Sequence, residues 1–424
     1  MNLRVERGDI AQHQAAAIVV NLFEGVTSPG GGTGAVDAAL DGAISRLIAD
    51  GDCRGKDGEL TLIHTLGKLP APRVLVAGLG KADDFTLDKV RSLSANVARY
   101  LRRHRCETIA TITHGAGIAG LDPQACAQAI AEGTVMGLYT FDRHKKPPED
   151  QTGVESVTLV EFDEARMEAL QHGVERGVVL GEAANFARDL ANEPANVLTP
   201  TELAERARTL AQETGLECEV FDRPWMEERG MGALLGVARG SQQPPKFIVL
   251  RYKGGGTHLA YVGKGITFDT GGISIKPAQG MEEMKGDMSG GAAVIAAMGA
   301  IARLKPEIDV TAVVPATENM PGGNATKPGD VLRAMNGKTI EVINTDAEGR
   351  LILADGIGYA NEQSPDAIID VATLTGAISI ALGDVAMGAM TNDDALYARV
   401  QRAAEAAGEK VWQLPMYDEY KEQI

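Results

Sequence analysis

At 424 residues the chain exceeds what one compact core accommodates, so two domains are expected. A hydrophobic content of 44% and a charged content of 23% are those of a globular chain, and 4% aromatics beside 50 glycines favour α/β units with tight strand-to-helix turns over an all-β sandwich. The formal net charge of −17 repels a phosphate backbone, which places nucleic acid low among partners.

The N-terminal run MNLRVERGDI has mixed charge and no apolar h-region, so no secretory signal is expected, and no apolar run is read as long enough to span a membrane. Residues 15–20 (AAAIVV) read as a strand, 28–34 (SPGGGTG) as a Gly-rich turn, and 35–40 as a helix continuing to about Leu47. Residues 73–77 and 108–112 read as buried strands, with helices around 87–101 and 123–138. The polar, Pro-bearing run 144–150 (HKKPPED) marks a boundary region, a strand over 154–162 closes the first section, and 164–191 is a long helix.

The second section is denser. Strands are expected at 246–251, 259–262, 309–314, 339–343 and 367–371, with helices at 292–304 and 351–363. This alternation predicts a mostly parallel sheet with ligands outside the carboxyl ends of its strands. The polar clusters fall there. Lys264, Asp269 and Lys276 follow one strand and Asp287 lies shortly beyond. Residues 318–324 follow the next strand, Asp346, Glu348 and Arg350 another, and TLTG at 373–376 a fourth.

Asp269, Asp287, Asp346 and Glu348 thus stand at turn positions beside glycines or small residues. Four convergent carboxylates repel one another unless cations lie between them, and two divalent ions would balance the charge. Taken singly, an Asp after a strand is a helix N-cap and a Glu two residues on favours the helix dipole. Lys264, Lys276 and Arg350 each read equally as salt-bridge partners. Only the ensemble points to metal. The 7 histidines lie outside these clusters and HExxH is absent, so the site is oxygen-rich and admits Mg, Mn or Zn. Asp269-Thr-Gly271 matches one lobe of an aspartic protease, but no second such triplet exists to share a proton. The glycines at 30–34 lack the Lys-Ser/Thr of a P-loop and read as a tight turn. The 4 cysteines have no C-x-x-C spacing and read as buried thiols of a reducing compartment.

NTDAEGRL (344–351), VGKGITFDTGG (262–272), MKGDMSGG (284–291), ENMP (318–321) and NEPANVLTP (192–200) together resemble the leucyl aminopeptidase family, also called cytosol aminopeptidases. The resemblance covers residues 182 to about 415, and the first section is similar to that family's more variable, macro-domain-like N-terminal domain. It implies an α/β protein of two domains: 1–163 macro-like, 164–181 a linking helix, and 182–424 a larger catalytic domain with a mostly parallel sheet. By the resemblance, Asp269 and Glu348 bridge two divalent ions (Mn²⁺ or Zn²⁺), Asp346 holds one ion, and Lys264 and Asp287 hold the other. Lys276 steadies the oxyanion, and Arg350 holds a bicarbonate that acts as general base. Met284, Asn324, Thr373, Leu374 and Gly376 line the substrate pocket.

The activity implied is removal of N-terminal residues, leucine and other mainly apolar ones, from peptides with a free N-terminus, by water activated at two metals. A cytoplasmic location, no membrane association and a homohexamer, if the C-terminus is completed, belong to the same expectation. In the family several tens of residues follow the position of Ile424, so a C-terminally shortened form is expected, whose stability, pocket walls and assembly are affected. Competing readings are an inactive fragment, a non-enzymatic or DNA-binding protein on the same fold, and another hydrolase using these carboxylates.

Overall fold

The computed structural model describes residues 1–116, 120–146 and 152–423; positions 147–150 of the expected boundary region lie outside them. The chain forms two compact units, residues 1–182 with 403–409 and residues 183–402 with 410–424.

The first unit is built on six strands: β1 (Asn2–Arg7), β2 (Ala17–Leu22), β3 (Leu60–His64), β4 (Arg73–Gly78), β5 (Thr108–Thr111) and β6 (Ser156–Glu161). They lie in the order β1-β6-β5-β2-β4-β3, all parallel except the edge pair β3–β4. Period-two alternation sends Ile18 and Val20 into one apolar cluster with Val74, Val76 and Ala110. Ala17 and Val19 enter another with Leu75, Ala77 and Ile109. Both faces are covered, which is why these strands read as continuous apolar runs.

The helix expected from 35 to about 47 is two helices, α1 (Gly31–Ala39) and α2 (Ala43–Asp50), and α1 begins inside the expected Gly-rich turn. Asp37 causes the break. Its Oδ1 accepts the N–H groups of Ile44 and Ser45 (2.7 and 3.1 Å), which would be internal donors in a continuous helix. Helices α3 (Leu87–Arg103) and α4 (Pro123–Gly137) start where Thr86 and Asp122 accept an N–H from the first turn. Cys53, Cys106 and Cys126 are buried free thiols, whereas Cys218 is half-buried.

The division between the units falls within α5 (Met167–Asn192). Beyond it come α6 (Pro200–Thr214), β7 (Glu217–Phe221), α7 (Arg223–Glu228), α8 (Gly232–Ala238), β8 (Lys246–Lys253), β9 (His258–Gly263) and β10 (Gly265–Asp269). Then follow α9 (Ser289–Leu304), β11 (Asp309–Asn319), β12 (Val331–Arg333), β13 (Thr339–Glu341), α10 (Glu348–Glu362) and β14 (Ala367–Val371). The main sheet runs β14-β9-β11-β8-β7, with β10 also on β11. Pairings among β14, β9, β11 and β10 are parallel, and β8 and β7 add an antiparallel edge.

Alternation again sorts the core. Val294, Ile295 and Met298 of α9 pack with Val310, Ala312 and Val314 on one face. Leu351 and Ile352 of α10 pack with Val262 and Val313 on the other. The strand expected at 339–343 is instead β13, paired with β12 in a separate ribbon. Its three residues carry polar Thr339 and Glu341 outward, so they have no two-sided core to join. Contrary to the sequence reading, the helical run Met281–Leu304 is long and apolar enough to cross a membrane by composition (mean hydropathy 1.2), but 67% of its most apolar window is buried within the protein.

Beyond β5, His114 is wholly enclosed. The Asn21 amide donates to its Nδ1 (3.0 Å), and its Nε2 lies 3.2 Å from the Thr111 hydroxyl. Burial pushes its pKa down from 6.5 to about 4. The folded state therefore binds fewer protons than the unfolded one between those values, and stability is complete above pH 6.5 and falls as pH drops toward 4. The loss amounts to about 3 kcal/mol. Thermal unfolding followed between pH 7 and 4 should show this decline, and His114→Gln should flatten it; an unchanged slope in the variant assigns the proton uptake elsewhere.

Candidate metal centre

Because β9, β11 and β14 run parallel, their carboxyl ends open on one edge of the sheet, and β10 ends there too. Lys264 follows β9, Asp269 closes β10, Asn319 closes β11, and Thr373 lies two residues past β14. Asp287 follows a 3-10 turn (Met281–Gly286) just ahead of α9. Asp346 precedes α10 and Glu348 opens it, so both sit at the positive end of the helix dipole.

Two glycines permit the convergence. A Cβ at Gly290 would fall 2.0 Å from the Val371 carbonyl oxygen, and one at Gly349 would fall 2.8 Å from Lys264 Cε. Only glycine lets the first turn of α9 lie against the end of β14 and the first turn of α10 lie against the Lys264 stem.

Lys264, Asp269 and Glu348 are each only 2% exposed. Lys264 Nζ donates to Asp287 Oδ1 (2.8 Å) and to the Thr373 carbonyl (3.0 Å), and pairs with Glu348 Oε1 (2.8 Å). Lys276 Nζ lies between Asp269 Oδ2 (2.9 Å) and Asp346 Oδ1. Asp269, Asp346 and Glu348 each offer a carboxylate oxygen within 4.8 Å of the others. Asp287 joins them through Lys264, and the Thr373 hydroxyl donates to its Oδ1 (2.8 Å).

Charge is out of balance in this cluster. Four carboxylates face two ammonium groups in a buried site. Burial pushes Asp287 up to about 7 and raises Glu348, with Lys264 opposing both. Burial also works against the charge on the two lysines, but Asp287 and Glu348 outweigh it at Lys264, and Asp269 and Asp346 outweigh it at Lys276, so both sit above the ordinary lysine value. Asp287 Oδ2 and Glu348 Oε2 are buried with no hydrogen-bond partner. A carboxylate oxygen left so is costly unless something else meets it. Hard oxygen donors with open positions and a deficit of positive charge fit divalent cations.

The other residues singled out in the sequence stand around this core. Arg350 is exposed on the first turn of α10. The Met284 carbonyl accepts the Asp287 N–H (3.2 Å), which sets Met284 beside the cluster. Leu374 and Gly376 are exposed on the loop that Thr373 ties to Asp287. Asn324 is exposed on the loop after β11, and among the described residues no hydrogen bond links it to the carboxylates. Sequence reasoning missed Asn319 and Thr345, both buried and both bonded to the carboxylate-bearing segments. The available signal was a polar residue ending a long apolar strand.

The profile of the cytosol aminopeptidase family catalytic domain matches residues 185–424, and that of the family's N-terminal domain matches residues 19–148. The chain belongs to the cytosol aminopeptidase family. A probable cytosol aminopeptidase of Alkaliphilus metalliredigens is 45% identical over all of this chain and 86% of its own length. One of Solibacter usitatus is 48% identical, over 100% and 85%. Among solved structures, a mutant of tomato leucine aminopeptidase superposes with a TM-score of 0.88 at 33% identity, covering 100% of this chain and 83% of that one. The bottromycin maturation enzyme BotP in complex with Mn superposes with a TM-score of 0.84 at 34% identity, covering 96% and 83%. Membership makes the protein a metal-dependent aminopeptidase, and its carboxylate cluster fits divalent metals.

Ions that bind only the folded state should raise its stability by about 2.7 kcal/mol at a free concentration of 100 Kd. Thermal melts with and without Mn²⁺ should show this gain in the wild type. Asp269→Ala should abolish it; an undiminished gain would remove Asp269 from the ligand set.

Proposed function

We propose that the protein removes N-terminal residues, leucine and other mainly apolar ones, from peptides, with two divalent ions held by Asp269, Glu348, Asp346, Asp287 and Lys264. The observation that carries this reading is the four-carboxylate cluster, three of its members buried, with two oxygens lacking any hydrogen-bond partner. Mn²⁺ has the support of the structural neighbour BotP, solved in complex with Mn, and Zn²⁺ suits the same donors. When bound, such a pair polarises a carbonyl and lowers the pKa of water.

The chain's own groups do the rest. Lys276 is held charged at the rim by two carboxylates, where it can donate to an oxyanion without reorganising. Lys264, with all three ammonium protons engaged, must give one up to act as a ligand, and cations beside it favour that loss. Arg350, exposed at the start of α10, would hold a small anion such as bicarbonate, which would take a proton from the attacking water. A free, unprotonated α-amine would be taken up by one of the ions, which selects exopeptidase cleavage. Met284, Thr373, Leu374 and Gly376 border the space for the first side chain. Asn324 is assigned to the outer wall of the same pocket. An apolar pocket discriminates weakly, so several apolar N-terminal residues should be accepted.

Hydrolysis of leucine p-nitroanilide should require added Mn²⁺ or Zn²⁺ and cease after chelation, while the N-acetylated substrate should resist cleavage. Turnover in a metal-stripped sample would overturn the reading. Arg350→Ala should keep its ions by titration but lose on the order of 10²-fold in kcat. Loss of ions in that variant would instead make Arg350 part of the scaffold.

A further inference from the structure

We propose that Asn319 is a positioning residue that fixes which oxygen of Asp269 is offered to the ions. The inference rests on the two-ion reading of the site. Asp269 and Asn319 stand opposite each other at the ends of β10 and β11, after a register shift between Ile266 and Asp269. Such an irregularity re-aims a side chain at a sheet edge. Asn319 is 4% exposed, and both donors of its side-chain amide are engaged. Nδ2 donates to Asp269 Oδ1 (2.8 Å) and to the Thr345 carbonyl (3.0 Å). The Gly271 N–H donates to the same Asp269 Oδ1 (2.9 Å).

Two donors fill the lone pairs of Oδ1. Oδ2, which faces Lys276 at 2.9 Å, is therefore the oxygen left for ions. The clasp reaches further. The Asn319 carbonyl accepts both the N–H (3.0 Å) and the hydroxyl (2.8 Å) of Thr270. The Thr345 hydroxyl donates to the Gly271 carbonyl (2.6 Å) and accepts the Ser274 N–H (2.8 Å). Asn319 thus ties the Asp269 turn to the residue preceding Asp346, so two ligand-bearing segments share one anchor. A neutral amide suits this task. A lysine or arginine would supply the same donor but cancel charge that the ions need.

The test is titration of the full chain with Mn²⁺ by calorimetry and electron paramagnetic resonance, for wild type, Asn319→Leu and Asn319→Asp. Leucine removes the donor at similar volume, and aspartate keeps the shape but sets an acceptor against Asp269 Oδ1, so the bond is replaced by repulsion. Metal-free melting and circular dichroism report folding. Both variants should fold, bind Mn²⁺ about 10–100-fold more weakly, and lose the spin-coupled spectrum of a paired site. If only one folds, its titration decides. A folded variant with wild-type affinity and an intact coupled spectrum overturns the proposal. Failure of both to fold assigns Asn319 to the scaffold and overturns it as well. A wild type that binds fewer than two ions removes the two-ion reading itself.

Discussion

Repulsion among buried carboxylates is the constraint on which the catalytic unit depends. Asp269, Asp287 and Glu348 are buried, with Asp346 at their edge, and Lys264 and Lys276 offset only half of that charge. Removing any such ion from water costs several kcal/mol, and mutual attraction offsets this only where geometry and hydrogen bonds are good. Lys264 meets that condition with three partners. Asp287 Oδ2 and Glu348 Oε2 do not, and burial pushes the Asp287 carboxyl up to about 7. A site arranged at such expense is organised for a ligand that completes it.

The fold makes the arrangement possible by geometry alone. Parallel strands release their ends on the same edge, so residues separated by as much as the distance from Lys264 to Thr373 along the chain come within one hydrogen bond. The helices α9 and α10 leave that edge on opposite faces of the sheet, and glycines in their first turns let them start close to it. Precision comes from the neutral network of Asn319, Thr270 and Thr345, which holds backbone and carboxylate together without adding charge. At the mouth of the cluster stand Lys276, between two carboxylates, and the exposed loop that Thr373 ties to Asp287.

Much of this was legible in the chain. The positions of the carboxylates at strand ends, and the alternation that names the strands of the main sheet, are local properties of spacing and hydropathy. The errors were local too, and each has a cause beyond local pattern. The helix run from 35 onward breaks because the Asp37 side chain caps a second helix, a choice that periodicity does not register. The segment 339–343 has strand composition but joins a small ribbon, because pairing depends on which neighbour is free. β1, β3, β7 and β10 were not read as strands: they lie at sheet edges or are interrupted by charged residues and glycine, so their apolar signal is weak.

The sequence by itself determined the chemical inventory: hard oxygen donors, paired lysines and an arginine, set at turns of an α/β chain and arranged in motifs specific to one family. Tertiary structure alone decided which oxygens remain open, which are saturated, and that Asn319 stands opposite Asp269. The reason is physical. Residue type and spacing follow from covalent order, whereas hydrogen-bond saturation depends on contacts between segments far apart in the chain, created only when the strands pair and the helices pack.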